Sequence, residues 1–356
     1  VIVRELKLKL TKVQETTLSN WFWSLTAIYN FGIRKIELNA ENKIYFSKQD
    51  LQNLLADHSK KLGIPSHTIQ ATLLQAYTAW DRCFKKLAKK PKLKSIRNKM
   101  RSITFPDILA RARLKDKTVN LPGVGSLRYF KQDIPEGKIK LAKIVRKASG
   151  WYCQLTLDTK HVFKVQETLK AVGIDTGFKH LAILSDGTKI ENQRNYVRGQ
   201  VRLAQAQRGN DKKLSARLQE RIANRRKDHN HKVSRTIVEN YKEIYITNDN
   251  LRGQAAIFGK SVSDAGISQL RSFLLYKGDH HGRVVKLVDS KNTTLTCGSC
   301  GSRCGPRGLS GLAVRVWECS ACGAVLDRDI NAANVILKLG LGYSLASTKG
   351  IYQWKI

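Results

Sequence analysis

The chain opens with "VIVRELKLKL", in which apolar and polar positions alternate with the period of a half-buried strand over residues 1 to 10. The period then changes. Leu18, Trp21, Leu25 and Ile28 recur at helical spacing around "WFWSLTAIYNF", and "HTIQATLLQAYTAWDRCFKKLAKK" predicts a second helix that runs into lysines before Pro91. The aromatics of the first helix read as a core-facing set. Base stacking is the alternative use for them, and nothing in the sequence favours it. From residue 101 to about 165 the pattern is again that of strands: "SITFP", "TVNLPGVGSLRYF" and "KIVRKASGWYCQLTLDT", separated by Pro-Gly and Ser-Gly turns. With the first strand these predict a small antiparallel β-barrel, an architecture whose charged faces often bind nucleic acid.

Beyond it, Ala171 to Ile174 and Leu181 to Leu184 read as strands, the second closed by the turn Asp186-Gly187. Residues 194 to 241 are largely helical and basic. Leu214, Leu218 and Ile222 form one apolar stripe, while Arg217, Arg221, Arg225, Arg226 and Lys227 cover other faces. In "EIYITNDNLRG" Ile244 and Ile246 alternate with Tyr245 and Thr247 as in a buried strand, and "LDRDINAANVILKL" predicts a helix with Ile330, Ala333 and Ile336 on its packing side. There is no internal repeat and no low-complexity tail.

Charge narrows the partner. The 356 residues carry a formal net charge of +36, a self-repulsion that makes sense against a polyanion. Non-specific nucleic-acid binding, a ribosomal type of protein and a nucleic-acid enzyme all satisfy it. From Lys85 to Arg101 the chain has nine basic residues and no acid: Lys85, Lys86, Lys89, Lys90, Lys92, Lys94, Arg97, Lys99 and Arg101. This run joins the helical and β-rich parts, and is read as touching phosphate rather than as a solvated linker. Arg221, Arg225 and Arg226 on the later helix are candidates for the same role. No stretch of 18 apolar residues exists to span a membrane, and the first ten residues lack the apolar core of a signal peptide. The expected location is the cytoplasm.

Five of the seven cysteines crowd between 297 and 322, while Cys83 and Cys153 stand alone. Cys297 and Cys300 form one C-x-x-C, Cys319 and Cys322 another, with 18 residues between the pairs. Two such knuckles can close four thiolates around a tetrahedral Zn²⁺ with no open position, so the expected zinc is structural. Cys304 is read as a spare thiol. Two carboxylates attract attention as well. Asp175 follows an apolar strand at a Gly-rich turn in "GIDTG", either as the first Mg²⁺ ligand of a ribonuclease-H-like fold or as the polar tip of a plain hairpin. Asp329 begins a helix, where an acid is often only a cap.

In this order, "GIDTG", "GKSVSDAG", the double C-x-x-C and "DRDINAAN" resemble the TnpB family of transposon-encoded, RNA-guided nucleases, relatives of the type V CRISPR effectors. The resemblance implies an α+β multidomain architecture. Residues 1–10 and 99–168 would form a wedge β-barrel, 11–98 a helical recognition domain, and 169–290 with 324–340 an RNase-H-like RuvC domain. Residues 291–323 would be a zinc-ribbon insert that binds target nucleic acid, and 341–356 a tail. It also implies a non-coding guide RNA and a double-stranded DNA target as partners, a flanking DNA motif read by the protein, Mg²⁺ as the cutting cofactor and a bacterial, nucleoid-associated location.

Within that resemblance Asp175 and Asp329 match the first and third carboxylates. The second is normally a Glu at the end of a strand. Alignment on Ile244 and Ile246 puts Thr247 there; alignment on "DNL" puts Asp249 there. Asp289, next to Ser290 before the first C-x-x-C, and Glu239 on the preceding helix are remote substitutes. Three readings follow: an RNA-guided DNA binder with weakened or lost cutting that acts by occupancy, as a repressor does; an active endonuclease using Asp249 or Asp289; and a guide-independent basic zinc-ribbon protein.

Overall fold

A computed structural model describes residues 2–55, 57–106, 114–115, 117–159, 170–308, 311, 313–348 and 351–355. Parts of the expected β-rich region, at 107–113, 116 and 160–165, and the expected domain boundary between 168 and 169 lie outside these residues. The chain divides into two compact units, Val1–His161 and Val162–Ile356.

The first unit begins with β1 (Ile2–Lys9) and the long α1 (Lys12–Glu41). Thr11 caps α1: its side chain accepts from the Gln14 amide while the Gln14 side chain returns to the Thr11 amide. Two short helices follow, α2 (Lys48–Asn53) and α3 (His58–Leu62), then α4 (Ser66–Phe84). The capping pair Ser47 and Asp50 starts α2, a signal readable in the sequence. Helix α4 stops at Phe84, short of the lysines expected to extend it, because Lys86 takes a left-handed conformation (φ 57°). Leu18, Phe22, Leu25, Ile33, Ile69 and Leu73 are buried in one core, each contributing roughly 1.5–3 kcal/mol of apolar burial.

The strands β2 (Ser102–Phe105), β3 (Leu114–Lys115), β4 (Thr118–Leu121), β5 (Gly125–Tyr129), β6 (Lys138–Lys147) and β7 (Gly150–Asp158) join β1 in a seven-stranded sheet of order β2-β6-β7-β1-β5-β4-β3. Every pairing is antiparallel, as expected. The closed barrel is not formed among the described residues. The edge strands β2 and β3 do not pair there.

In the second unit β8 (Ala171–Thr176), β9 (His180–Leu184) and β10 (Lys189–Glu191) form an antiparallel meander. Helices α5 (Asn195–Arg208) and α6 (Lys212–Asn240) lead to β11 (Glu243–Thr247), which pairs parallel with β8. They divide the expected single helical stretch where Asn210 turns left-handed and Asp211 caps α6. After α7 (Leu251–Ala265) and α8 (Ile267–His280), β12 (Val284–Val288) pairs parallel with β11, for the order β10-β9-β8-β11-β12. Val172, Ile174, Ile244 and Ile246 share a core with Val233 and Ile237 of α6 and Leu270 and Leu274 of α8. A short pair, β13 (Val316–Glu318) and β14 (Val325–Asp327), precedes α9 (Arg328–Gly340). The stretch expected as a tail is a hairpin, β15 (Ser344–Thr348) with β16 (Ile351–Lys355). No helix of the described residues is long and apolar enough to cross a membrane.

Helix α9 lies directly on β8. A Cβ added at Gly173 would sit 2.1 Å from the Ala333 carbonyl oxygen and 2.6 Å from the Leu337 nitrogen, so only glycine permits this approach. Gly173→Ala is expected to destabilise the protein by about 2 kcal/mol or more, read from the midpoint of denaturant unfolding.

Candidate functional site

The two C-x-x-C segments fold as matching knuckles. After Cys297, the Gly301 amide donates to the Cys297 carbonyl (2.9 Å) and the Cys297 amide to the Ser302 carbonyl (2.8 Å). After Cys319, the Gly323 amide donates to Cys319 (2.8 Å) and the Cys319 amide to Ala324 (2.9 Å). Gly301 and Gly323 have φ of 90° and 70°, the left-handed turn that a side chain would strain. The Sγ atoms of Cys297, Cys300, Cys319 and Cys322 all lie within 4.8 Å of one another. Cys297 to Cys322 is 3.8 Å and Cys300 to Cys319 is 3.7 Å. Zn–S bonds of about 2.3 Å in a tetrahedron have edges near 3.8 Å, so the cluster fits one zinc ion. The Cys304 Sγ comes within 3.3 Å of the Cys319 Sγ, close to the cluster but outside that tetrahedron.

The first knuckle is fastened to α9. The buried Asn331 accepts from the Gly298 amide (2.7 Å) and donates to the Thr296 carbonyl (2.8 Å); Lys338 donates to the Gly298 carbonyl (2.6 Å). The Trp354 indole of the C-terminal hairpin donates to the Cys297 carbonyl (3.2 Å). The cysteine cluster thereby holds the helix whose first turn presents Asp329. Asp329 is not that helix's cap, the role an acid there often has. Asp327 is the cap, accepting from the amides of Asp329 (3.0 Å) and Ile330 (3.1 Å). Asp329 is clasped instead: Arg328 reaches one carboxylate oxygen at 2.8 Å and Arg315 the other at 3.1 Å.

Asp175 sits one residue before the end of β8. Burial, followed by the negative charges of Asp249 and Asp329, pushes its pKa up to about 7; Arg328 acts in the opposite direction. The fold thus brings three of the expected carboxylates into one electrostatic neighbourhood, though among the described residues only the cysteines close to within 4.8 Å.

The strand that should deliver the second acid ends at Thr247. Its pairing with β8 reaches Ile246 opposite Ile174, so Thr247 follows in step with Asp175. Thr247 is completely buried. The Thr176 hydroxyl donates to Asp249 at 3.1 Å and lies 2.8 Å from the Thr247 hydroxyl, which therefore donates to Thr176. Arg271 completes the chain with a 2.8 Å ion pair to the same oxygen of Asp249. Asp289 is exposed and accepts from the Lys291 amide in its own turn, and Glu239 pairs with Arg235 on α6.

Thr176 and Arg271 escaped sequence reasoning. Arg271 had a readable signal: with Ile267, Leu270 and Leu274 it occupies the buried stripe of α8 at helical spacing. An arginine at such a position needs a buried partner.

The basic candidates have differing surroundings. Lys85 pairs with Asp81 at 3.0 Å and Lys90 with Glu37, whereas Lys86, Lys89, Lys92, Arg97 and Arg101 are exposed or half-buried without such a pair among the ion pairs seen. Lys94 and Lys99 lie over aromatic rings of α1. On α6, Arg221 and Arg225 are exposed, while Arg226 donates to the Ser263 carbonyl at 2.6 Å and so braces the end of α7.

Comparison with known proteins gives the class. A probable-transposase family model, OrfB_IS605, matches residues 154–256, and a Cas12f1-like TNB domain model matches 268–336. A putative RNA-guided DNA endonuclease of Streptomyces pristinaespiralis is 32% identical over 298 residues, 79% of this chain and 73% of that protein. The putative RNA-guided DNA endonuclease InsQ of Escherichia coli K12 is 26% identical over 306 residues, covering 78% and 75%. TnpB-like protein L79 of Acanthamoeba polyphaga mimivirus is 33% identical over 142 residues, 36% of this chain and 26% of that one. The chain belongs to the TnpB family.

Two outcomes follow from this geometry. Cys297→Ser or Cys319→Ser is expected to abolish binding of one zinc equivalent and to expose residues 291–326 to proteolysis, measured by metal analysis and limited digestion. Asp175 holds its proton in the folded chain at pH values where the unfolded chain has lost it. It therefore withdraws stability as pH rises from about 4 to about 7. In magnesium-free buffer Asp175→Asn should melt like wild type at the acid end of that range and about 2 °C or more higher above it.

Proposed function

We propose that this protein binds a non-coding guide RNA and, beside a short flanking motif, the double-stranded DNA that this RNA matches, and that it cuts that DNA weakly or not at all. It would act by occupying its target, as a repressor does. The relatives named as RNA-guided DNA endonucleases support the first part, and a net charge of +36 suits a chain that must hold a folded RNA and a heteroduplex. In this reading the first unit supplies wedge and recognition parts. The sheet of the second, with α9, is a RuvC domain, and the cysteine cluster is an inserted structural zinc ribbon.

The loss of cutting is carried by one observation: the position in step with Asp175 is the buried, hydrogen-bonded Thr247. RuvC-type cutting takes two Mg²⁺ ions held by carboxylates from separate segments. Asp175 and Asp329 suffice for one hydrated ion. The second lacks its carboxylate, since Asp249 already neutralises Arg271. The donor set does not fit the two-ion site, and the protein's own arginines satisfy two of its three acids. The proximity of Asp249 to Asp175 favours one rival, an active endonuclease in which Asp replaces Glu.

The test uses the protein purified with its co-transcribed RNA, matched plasmid and Mg²⁺. Wild type is expected to bind matched DNA tightly and to cleave it far more slowly than it binds. Thr247→Glu should raise cleavage without changing the DNA recognised, and Asp249→Ala should do little. Ready cutting by wild type, abolished by Asp249→Ala, would establish the rival instead. Binding that ignores a change of guide would mean a guide-independent nucleic-acid binder.

A further inference from the structure

The aromatic residues of "WFWSLTAIYNF" part company in the fold. Trp21, Phe22 and Tyr29 are buried, whereas Trp23 is 42% and Phe31 39% exposed. These two lie on one outward stripe of α1 with Asn20, Ala27 and Arg34, all exposed. The stripe has no carboxylate. Trp23 and Phe31 are separated along it by roughly 12 Å.

The basic run 85–101 is laid against this same helix. Asn30 donates to the Lys94 carbonyl and accepts from the Lys94 amide, both at 2.8 Å, and the Met100 amide donates to the Thr26 hydroxyl at 3.0 Å. Between these anchors the Lys99 ammonium stands 3.9 Å from the centre of the Trp23 ring, and Lys94 stands 4.9 Å from that of Tyr29. Lysines on backbone-pinned segments over aromatic faces are held where they are, with Arg97 and Arg101 exposed beside them. An indole left 42% exposed costs solubility. Next to a fixed row of cations it has a use: Lys99 covers one face of the ring, a base stacks on the other, and the cations take the adjoining phosphates.

We infer that the outward stripe of α1, centred on Trp23 and flanked by Lys99, Arg97 and Arg34, is a stacking platform for an unpaired stretch of nucleic acid. A duplex hides its base faces in its own stack; an unpaired strand leaves them open to a ring. RNA and DNA strands share this chemistry. The inference requires that the partner be nucleic acid, as the proposed function does, but not that binding be guided.

The full-length protein is titrated with short uridine and thymidine oligonucleotides and with a duplex of equal length, at several salt concentrations. Trp23→Ala is expected to weaken single-strand binding about tenfold, with duplex affinity and the salt slope unchanged, since no charge is removed. Trp23→Phe should keep most of the affinity, and Lys99→Gln should reduce the salt slope. In the purified complex, photocrosslinking from thio-substituted uridine in the RNA or thymidine in the DNA should label the peptide containing Trp23, and the labelled strand identifies the source. Unchanged single-strand affinity in Trp23→Ala would overturn the inference, as would an equal loss for strand and duplex. Because the oligonucleotides carry no guide match, failure of guide-directed targeting would leave this result standing.

Discussion

The second unit depends on the contact of α9 with the backbone of β8. Gly173 lets the helix sit against the strand without an intervening side chain. That single close approach determines where the first turn of α9 falls, and so where Asp329 stands with respect to Asp175. The first cysteine knuckle is attached to the same helix through Asn331 and Lys338. Cysteine cluster, helix and carboxylate thus form one mechanical chain, and the thiols help decide the geometry of the site.

Electrostatics shapes the same region in the opposite sense. Three acids are gathered in a unit otherwise rich in arginine and lysine. A metal site would leave them as open anions awaiting cations. Here Asp249 meets Arg271, and Asp329 meets Arg328 and Arg315, so two of the three charges are already compensated by side chains. Asp175 remains, and responds with a raised pKa. Thr247, Thr176, Asp249 and Arg271 form a continuous chain of hydrogen bonds, in which the buried Nε of Arg271 has no partner among the described residues.

In the first unit the excess of positive charge is handled differently. Lys85 and Lys90 have acidic partners, but Lys94 and Lys99 rest on aromatic faces, which hold a cation without neutralising it. Charge kept in place and uncompensated is what a polyanion can use.

By itself the sequence determined what depends on local pattern and spacing. The two C-x-x-C pairs specify four thiolates because knuckle geometry is set within a few residues of each cysteine. The alternation around Ile244 and Ile246 specifies a strand, and the fold buries both of its faces, Tyr245 and Thr247 included. The order of "GIDTG", the cysteine pairs and "DRDINAAN" specifies the family. Other features needed contacts between distant segments. Among the described residues the barrel expected from the strands is an open sheet; closure depends on the two edges meeting, which no local pattern encodes. The expected tail is a hairpin whose Trp354 reaches Cys297, 57 residues away. Which residue of β11 stands in step with Asp175 turned on the register of β11 against β8, and a shift of two residues leaves an alternating pattern unchanged. The pairing of Ile246 with Ile174 puts Thr247 in step with Asp175, while the ion pair that Arg271 makes from another helix holds Asp249, whose charge also reaches Asp175.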